Sequence, residues 1–432
     1  MADSKSSVSS PVVSSSDDTE KGIPTSPDIL IRQAPDGGLT AWLVIVGCWC
    51  TSFCSFGWLN SVGIFQEYYQ NELLQGYSTS AISWIPSLEI FFMMGMGPVV
   101  GMLYDRHGPR WLLLVGSILH VLGIMMASLG TEYYQILLAQ GVCSSFGVSM
   151  IFQPSLTAAA GWFTTKSGLA FGILFTGSSI GGIVLPILVS HLIETTGFPW
   201  AMRTCAFLIL GLLVIANLTV RPFHHPTRRK ITRAELAKPF TESKFILLIT
   251  GMFLFTYGFY IPITFLPLEA LEAGMQEELV PYLLPILNAG SLFGRLFAGF
   301  ASDKIGKYNI FIIVCYASAL TILAVWLVSS TTAALIVFAV TFGFFSGAYV
   351  SLITPLVMQI SPMEELGFRT GILLLATAVG GLTTNPINGA IVDSPGGWVG
   401  LKVFSGVFCV VGTTFILFAR VRGVGWGLRK KY

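Results

Sequence analysis

Charge is what this sequence has least of. Its 24 Lys and Arg and 22 Asp and Glu make up 11% of 432 residues, where a soluble domain usually carries about 25%. So few charges cannot cover a water-exposed surface of this size. An ordinary cytosolic enzyme, a nucleic-acid binder and a disordered scaffold are therefore excluded. A nucleotide-binding G-x-x-x-x-G-K-S/T stretch is also missing, which argues against ATP drive. The seven cysteines, Cys48, Cys50, Cys54, Cys143, Cys205, Cys315 and Cys409, all sit inside apolar runs as small hydrophobes. They form no disulfide framework, and no His or carboxylate stands beside them at metal-ligand spacing. No cofactor and no metal is implied.

What the chain has is apolar length. Twelve runs long enough to span a bilayer lie at roughly 42–66, 79–103, 111–129, 133–157, 168–192, 199–220, 246–268, 280–302, 308–328, 332–358, 370–392 and 399–420. The fold class read from them is an all-α membrane protein of twelve transmembrane helices. Residues 1–35 are rich in Ser, Thr and Pro and read as a disordered cytosolic tail, without the apolar core of a signal peptide. The longest polar break splits the rest into bundles at 36–222 and 244–432, joined by a linker at 223–243 that holds Arg228, Arg229, Lys230 and Arg233. All basic residues except Arg203, Arg295 and Lys402 fall in the tails and the even-numbered loops, while Glu67, Glu72, Glu132, Glu194, Glu269, Glu272, Glu277, Glu278 and Asp393 mark the other side. The positive-inside rule then puts both termini in the cytosol, with the plasma membrane favoured over a vacuolar or other internal membrane.

The halves repeat at an offset of about 199 residues. G-M-L-Y-D-R-H-G-P-R at 101–110 matches G-F-A-S-D-K-I-G-K at 299–307, pairing Gly101, Asp105 and Arg106 with Gly299, Asp303 and Lys304. G-I-L-F-T-G-S-S-I-G-G from Gly172 matches G-I-L-L-L-A-T-A-V-G-G from Gly371, and Pro186 and Pro386 follow. Two like-oriented six-helix bundles are the layout of carriers with a central site between repeats. Residues 177–181 also fit the G-x-S-x-G nucleophile pattern, but that elbow needs a strand-to-helix turn, and here it lies in an apolar helix.

The loop around Asp105, with Arg106 and Arg110, closely resembles the loop 2–3 motif of the major facilitator superfamily. That resemblance implies two pseudo-symmetric bundles in the major facilitator fold and a conformational latch. Asp105 would face the eleventh helix near Arg369, and Asp303 the fifth near Lys166. The plainer reading is that these charges only set topology. Residues 35–42, P-D-G-G-L-T-A-W, are similar to the leading motif of monocarboxylate transporters through Asp36, Gly37, Gly38 and Trp42, with Leu39 replacing an aromatic and one residue added, as in a fungal branch. W-F-T-T-K-S-G-L-A-F-G-I-L-F-T-G-S-S-I-G at 162–181 is similar to that family's second motif.

Charges at membrane depth are costly, about 2.5–3.5 kcal/mol each, and so default to function. Two stand out, Arg295 and Glu89. A guanidinium can grip a carboxylate with two parallel hydrogen bonds, and monocarboxylate transporters carry an arginine at the position of Arg295. The alternative is an arginine paired for packing. Where proton-coupled members have an aspartate and a lysine, this chain has Ser291 and Asn60. Glu89 is then either a substitute protonation site or a structural hydrogen-bonding group. His120 and His191 read as packing or rim residues. In such a fold Asn60, Phe152, Gln153, Tyr257, Tyr260, Asn288, Tyr349 and Thr354 would line the cavity, and Pro154 and Pro355 would form paired kinks.

The expected function is secondary active or facilitative transport of a small, monocarboxylate-like organic acid by alternating access, not an enzymatic reaction. The alternatives are export of a fungal secondary metabolite, import of a vitamin-like aromatic such as riboflavin, or a transport-inactive membrane nutrient receptor. The expected partners are a small organic anion or amphipathic metabolite and membrane lipid, with no nucleic acid; the sequence names no accessory protein.

Overall fold

The computed structural model describes residues 34–223 and 236–427. All but the last two residues of the expected tail, and residues 224–235 of the expected linker, lie outside the described residues. The described chain forms twelve helices long and apolar enough to cross a membrane: α1 Leu39–Leu73, α2 Ser80–His107, α3 Pro109–Ala127, α4 Tyr133–Trp162, α5 Ser167–Thr196, α6 Phe198–Thr219, α7 Ser243–Glu272, α8 Val280–Ile305, α9 Lys307–Trp326, α10 Thr332–Ile360, α11 Met363–Val392 and α12 Gly397–Val424. The outer surface exposes large apolar side chains such as Trp111, Ile118, Leu218, Phe293 and Leu320. Lipid accepts such a surface and water does not, so the chain is a multi-pass integral membrane protein.

Several helices run longer than their apolar cores. α1 extends to Leu73 rather than 66, with widened π-helical turns at Phe53–Gly57 and Tyr69–Leu73 and a break at Asn60 and Ser61. α4 is widened in the same way at Leu137–Ser144. Pro154 and Pro355 both lie inside unbroken helices. Gly108 and Gly306, with φ of 76° and 114°, make the matching tight turns from α2 to α3 and from α8 to α9.

The two bundles meet chiefly along α5 with α8 and α2 with α11. Both seams depend on glycine at one end. A Cβ at Gly299 would lie 2.6 Å from the Gly168 carbonyl, and one at Gly101 would strike the Gly367 carbonyl. With the backbones this close, α5 and α11 present their first turns to the opposite bundle. Neither helix has a side-chain cap of its own. Asp303 supplies it for α5, accepting from Gly168 N (2.8 Å) and Leu169 N (2.9 Å). Asp105 does the same for α11, accepting from Gly367 N (3.1 Å) and Phe368 N (2.9 Å). Each carboxylate thus caps two orphan N–H groups across the bundle interface. The face carrying the latches, and the described ends of the chain, is closed.

Charge is less peripheral than the sequence suggests, where only Glu89 and Arg295 look internal. Glu269 and Lys402 form a buried ion pair, joined by Trp326 Nε1 (2.5 Å) and Ser330 Oγ (2.7 Å). Arg420 is buried against Asn309 (2.5 Å) and the Gly427 carbonyl (2.9 Å). These charges are read as edge residues because their partners are far away in sequence.

Gly299→Leu should overpack the α5–α8 seam and cost about 1–3 kcal/mol, read as a lower Tm. Gly211→Leu is the control, because a Cβ there meets nothing within 4 Å. Equal Tm values for the two variants would contradict the seam's role.

Candidate functional site

A cavity of about 920 Å³ lies between the bundles. It runs from Arg295 to a mouth framed by Gln66, Ser80 and Trp84 on one side and Thr264, Pro267 and Leu284 on the other. These residues lie at the ends of α1, α2, α7 and α8 remote from the latches, so the cavity opens at the face opposite the closed one.

Its polar strip comes from α8, where Asn288, Ser291 and Arg295 share a face at helical spacing. The Arg295 guanidinium donates to the Phe175 carbonyl and to Ser178 Oγ on α5, and lies 6.0 Å from the Phe175 ring. Its Nε has no hydrogen-bond partner, and no carboxylate pairs with it among the described residues. Above it Ser179 donates to Ser291 (3.4 Å), and Asn288 Nδ2 donates across the bundles to Asn60 Oδ1 (3.0 Å). The remaining walls are mainly apolar and include several aromatic rings. Phe259 lies 5.0 Å from Tyr349 and 5.3 Å from Tyr260, ring centre to ring centre, and Phe56 packs edge-on against Phe152 at 4.9 Å. The site can therefore hold an apolar body against rings while one uncompensated guanidinium and several neutral groups meet a polar head.

Asn60, Phe152, Tyr260, Asn288, Ser291, Arg295, Tyr349 and Thr354 all line this space. Tyr257 and Gln153 do not. The Tyr257 hydroxyl is bonded to Thr383 Oγ1 (2.7 Å) and its ring packs on Phe253 and Phe408, so it faces α11 and α12. Gln153 Nε2 donates to the Gly367 carbonyl (2.9 Å) and belongs to the α11 latch. One helical step separates each from a lining residue, Thr256 and Phe152. Sequence reasoning also missed the cavity faces of α2, α5 and α11, including Ser83, Ile90, Ser178 and Thr377. The pairing of α2 with α11 and α5 with α8, implied by the repeated glycine motifs, was the signal available for them.

Glu89 is buried one layer behind the wall, accepting from Trp58 Nε1 (2.8 Å) and Gln140 Nε2 (3.4 Å). Arg106, Arg110, Lys166 and Lys304 are exposed at the closed face, with Lys304 Nζ lying over the Phe300 ring at 4.0 Å.

The latch receivers are held from behind. Asp36, the only non-glycine residue with positive φ among those described, accepts from Thr164 N (2.7 Å), Thr165 N (2.8 Å) and Thr164 Oγ1 (2.8 Å). Lys166 N adds a longer bond at 3.3 Å, and Trp42 packs on Phe163 at 5.2 Å. The leading motif, with Gly37 and Gly38 between Asp36 and α1, thus docks on the loop whose far side receives Asp303. Burial alone would raise the Asp36 carboxyl, but the bonds from Thr164, Lys166 and Thr165 outweigh it and hold it below its ordinary value. In the second bundle Glu242, just before α7, grips Arg369 with two bonds (2.7 and 2.8 Å), and Glu365 pairs with the same guanidinium at 2.8 Å. Arg369 is therefore the partner of these acids and not of Asp105.

Twelve spanning helices around a central cavity closed at one face are the architecture of a membrane transporter. The Major Facilitator Superfamily model matches residues 47–342 and 289–430, and the chain belongs to that superfamily. It is 54% identical over 400 residues to the MFS transporter asaE of Aspergillus flavus, spanning 92% of this chain and 90% of that one. It is 53% identical to the Fujikurins efflux protein of Gibberella fujikuroi (90% and 84% covered) and 36% identical to the Aspyridones efflux protein apdF of Emericella nidulans (92% and 81%). The fold matches the fucose:proton symporter FucP of E. coli with a TM-score of 0.70 at 12% identity, covering 87% of this chain and 98% of that one.

The Arg369 hydrogen bond holds the Glu242 carboxyl below its ordinary value. A depressed carboxyl stabilises the fold fully above its unfolded pKa, about 4.3, and loses that contribution as pH falls through the folded value. The Tm of wild type should exceed that of Glu242→Gln at pH 7, and the difference should vanish on acidification. A difference independent of pH would contradict the ionic clamp.

Proposed function

We propose that this transporter exports an amphipathic organic product larger than a simple monocarboxylate. Arg295 holds the product's acidic or electron-rich group while Phe259, Tyr260 and Tyr349 cover its apolar body. The carrying observation is the cavity itself, about 920 Å³ with a mainly apolar wall that includes several aromatic rings, and one guanidinium that no carboxylate neutralises among the described residues. Ligand sites of about 300–1,000 Å³ suit drug-sized molecules, whereas a lactate-sized acid would leave most of this space filled with water. Efflux relatives align along nine-tenths of the chain and support the same direction. The small-acid expectation thus gives way to its alternative.

The distribution of basic residues supports placing the latched face in the cytosol, so that the cavity seen here opens outward, ready to release product. The plasma membrane is the location that suits such export. Neutral Asn60 and Ser291 leave Arg295 as the one charge on the polar strip. Asp105 and Asp303, with Gly101 and Gly299, act as the latches that must part when the cavity turns inward.

Efflux from cells expressing the protein, measured with a panel running from lactate to aromatic polyketide acids and neutral analogues, tests this reading. A hydrogen bond to a charged group contributes about 1.5–3 kcal/mol, so Arg295→Ala should slow efflux of the acidic members at least tenfold and the neutral ones less. Transport of lactate with exclusion of the larger acids would overturn it.

A further inference from the structure

Glu89 plays no part in binding product as described above, yet it is the one buried carboxyl in the first bundle. It is 1% exposed, and none of the ion pairs among the described residues includes it. Its oxygens accept from Trp58 Nε1 and Gln140 Nε2 alone, and Gln140 Oε1 in turn accepts from the Tyr69 hydroxyl (2.5 Å). Of the surrounding elements, α1 carries Cys48, Cys50, Cys54, Glu67, Tyr68, Tyr69 and Glu72, α3 carries Arg110 and His120, and α4 carries Tyr133, Tyr134 and Cys143. Tyr69 is linked to Glu89 through Gln140, and His120 packs on Trp58 at 6.2 Å, ring centre to ring centre. Both His120 nitrogens are taken, by Ser144 Oγ (2.9 Å) and the Cys54 carbonyl (3.1 Å). α11, packed on the other face of α2, carries no charge between Arg369 and Asp393.

Three features of this arrangement point the same way. A buried carboxylate with no cation costs several kcal/mol, so the surroundings favour the neutral acid. Two N–H donors on separate oxygens nevertheless keep the ionised form within reach, whereas a salt bridge would fix it. The cluster is also mechanically tied to the cavity. Ile90 beside Glu89, and Leu59 and Asn60 beside Trp58, line the cavity, and Trp58, Tyr69 and Gln140 each lie in or next to a π-helical turn of α1 or α4. Such wide turns recur at functional positions because their backbone bonds can shift register.

We propose that Glu89 is the proton-binding site of the transporter, loaded from the open mouth in the conformation described here and emptied to the other side when the latches part. In loading, a proton passes from cavity water to a Glu89 oxygen; in emptying, the same O–H breaks and water accepts the proton. The direction of exchange, proton inward for product outward, rests on the export reading; the site itself does not.

Infrared titration of the purified protein in nanodiscs needs no product. Wild type should show a carboxylic-acid C=O band that disappears as pH rises and is missing from Glu89→Gln. A band absent from wild type, or identical in the variant, would overturn the site. Trp58→Phe keeps Glu89 but removes the shorter bond to the ionised form, so the band's midpoint should move to higher pH; an unmoved midpoint counts against the site even where Glu89→Gln does not fold. In proteoliposomes, Glu89→Gln should lose stimulation by an imposed pH gradient while retaining exchange of labelled for unlabelled product at equal pH. Stimulation equal to wild type would refute coupling through Glu89. A titrating band together with no movement of any product in the panel would instead refute the export reading and leave the proton site standing.

Discussion

A helix that begins at a membrane edge leaves its first N–H groups without partners, and there is little water nearby to supply them. In α5 and α11 those groups are satisfied from the opposite bundle, by Asp303 and Asp105. The consequence is conditional stability. Each cap exists only while the bundles are in contact at that face, and losing a cap costs about 0.5–2 kcal/mol. Two caps of that size are enough to set which conformation dominates, yet small enough for bound product or a proton to overturn. The glycines at 101, 168, 299 and 367 bring the backbones close enough for the carboxylates to reach. Asp36 and Glu242, each just ahead of its bundle's first helix, keep the receiving loops in place.

The treatment of buried charge follows a consistent division. Charges that only build the fold are satisfied inside one bundle, by opposite charges for Glu269 with Lys402 and for Arg369 with Glu242 and Glu365, and by Asn309 and backbone carbonyls for Arg420. Arg295 and Glu89 have no opposite charge, one at the floor of the cavity and the other directly behind its wall. A buried ion left unmatched is expensive, so it persists where a ligand supplies what is missing. In the proposed reading that is an acidic group on the product for Arg295 and a proton for Glu89.

The fold was legible because its signals are local. Apolar length gave the twelve spans, and the matching loops at 101–110 and 299–307 gave the superfamily and placed Asp105 and Asp303 opposite α11 and α5. The cavity was only partly legible. α7 is apolar on nearly every face and α4 scatters Gln, Ser and Thr among its apolar residues, so neither shows a clean stripe and periodicity does not separate Thr256 from Tyr257 or Phe152 from Gln153, although one step turns a side chain from the cavity into a seam. The clamp of Asp36 on Thr164 to Lys166 and the pair of Glu269 with Lys402 join residues more than a hundred positions apart, which spacing along the chain cannot reveal. The branch motif around Asp36 and Trp42 suggested a small acid. That motif builds a clamp at the closed face, away from the cavity, however, and cavity size is set by residues it does not include.

The most direct test is the distance between spin labels placed across each face, in wild type and in Asp105→Ala/Asp303→Ala. If the two carboxylates hold the closed face shut, the labels on that face should separate in the double variant while those across the mouth approach one another. Unchanged distances on both faces of a folded double variant would show that the bundles are held together by something else.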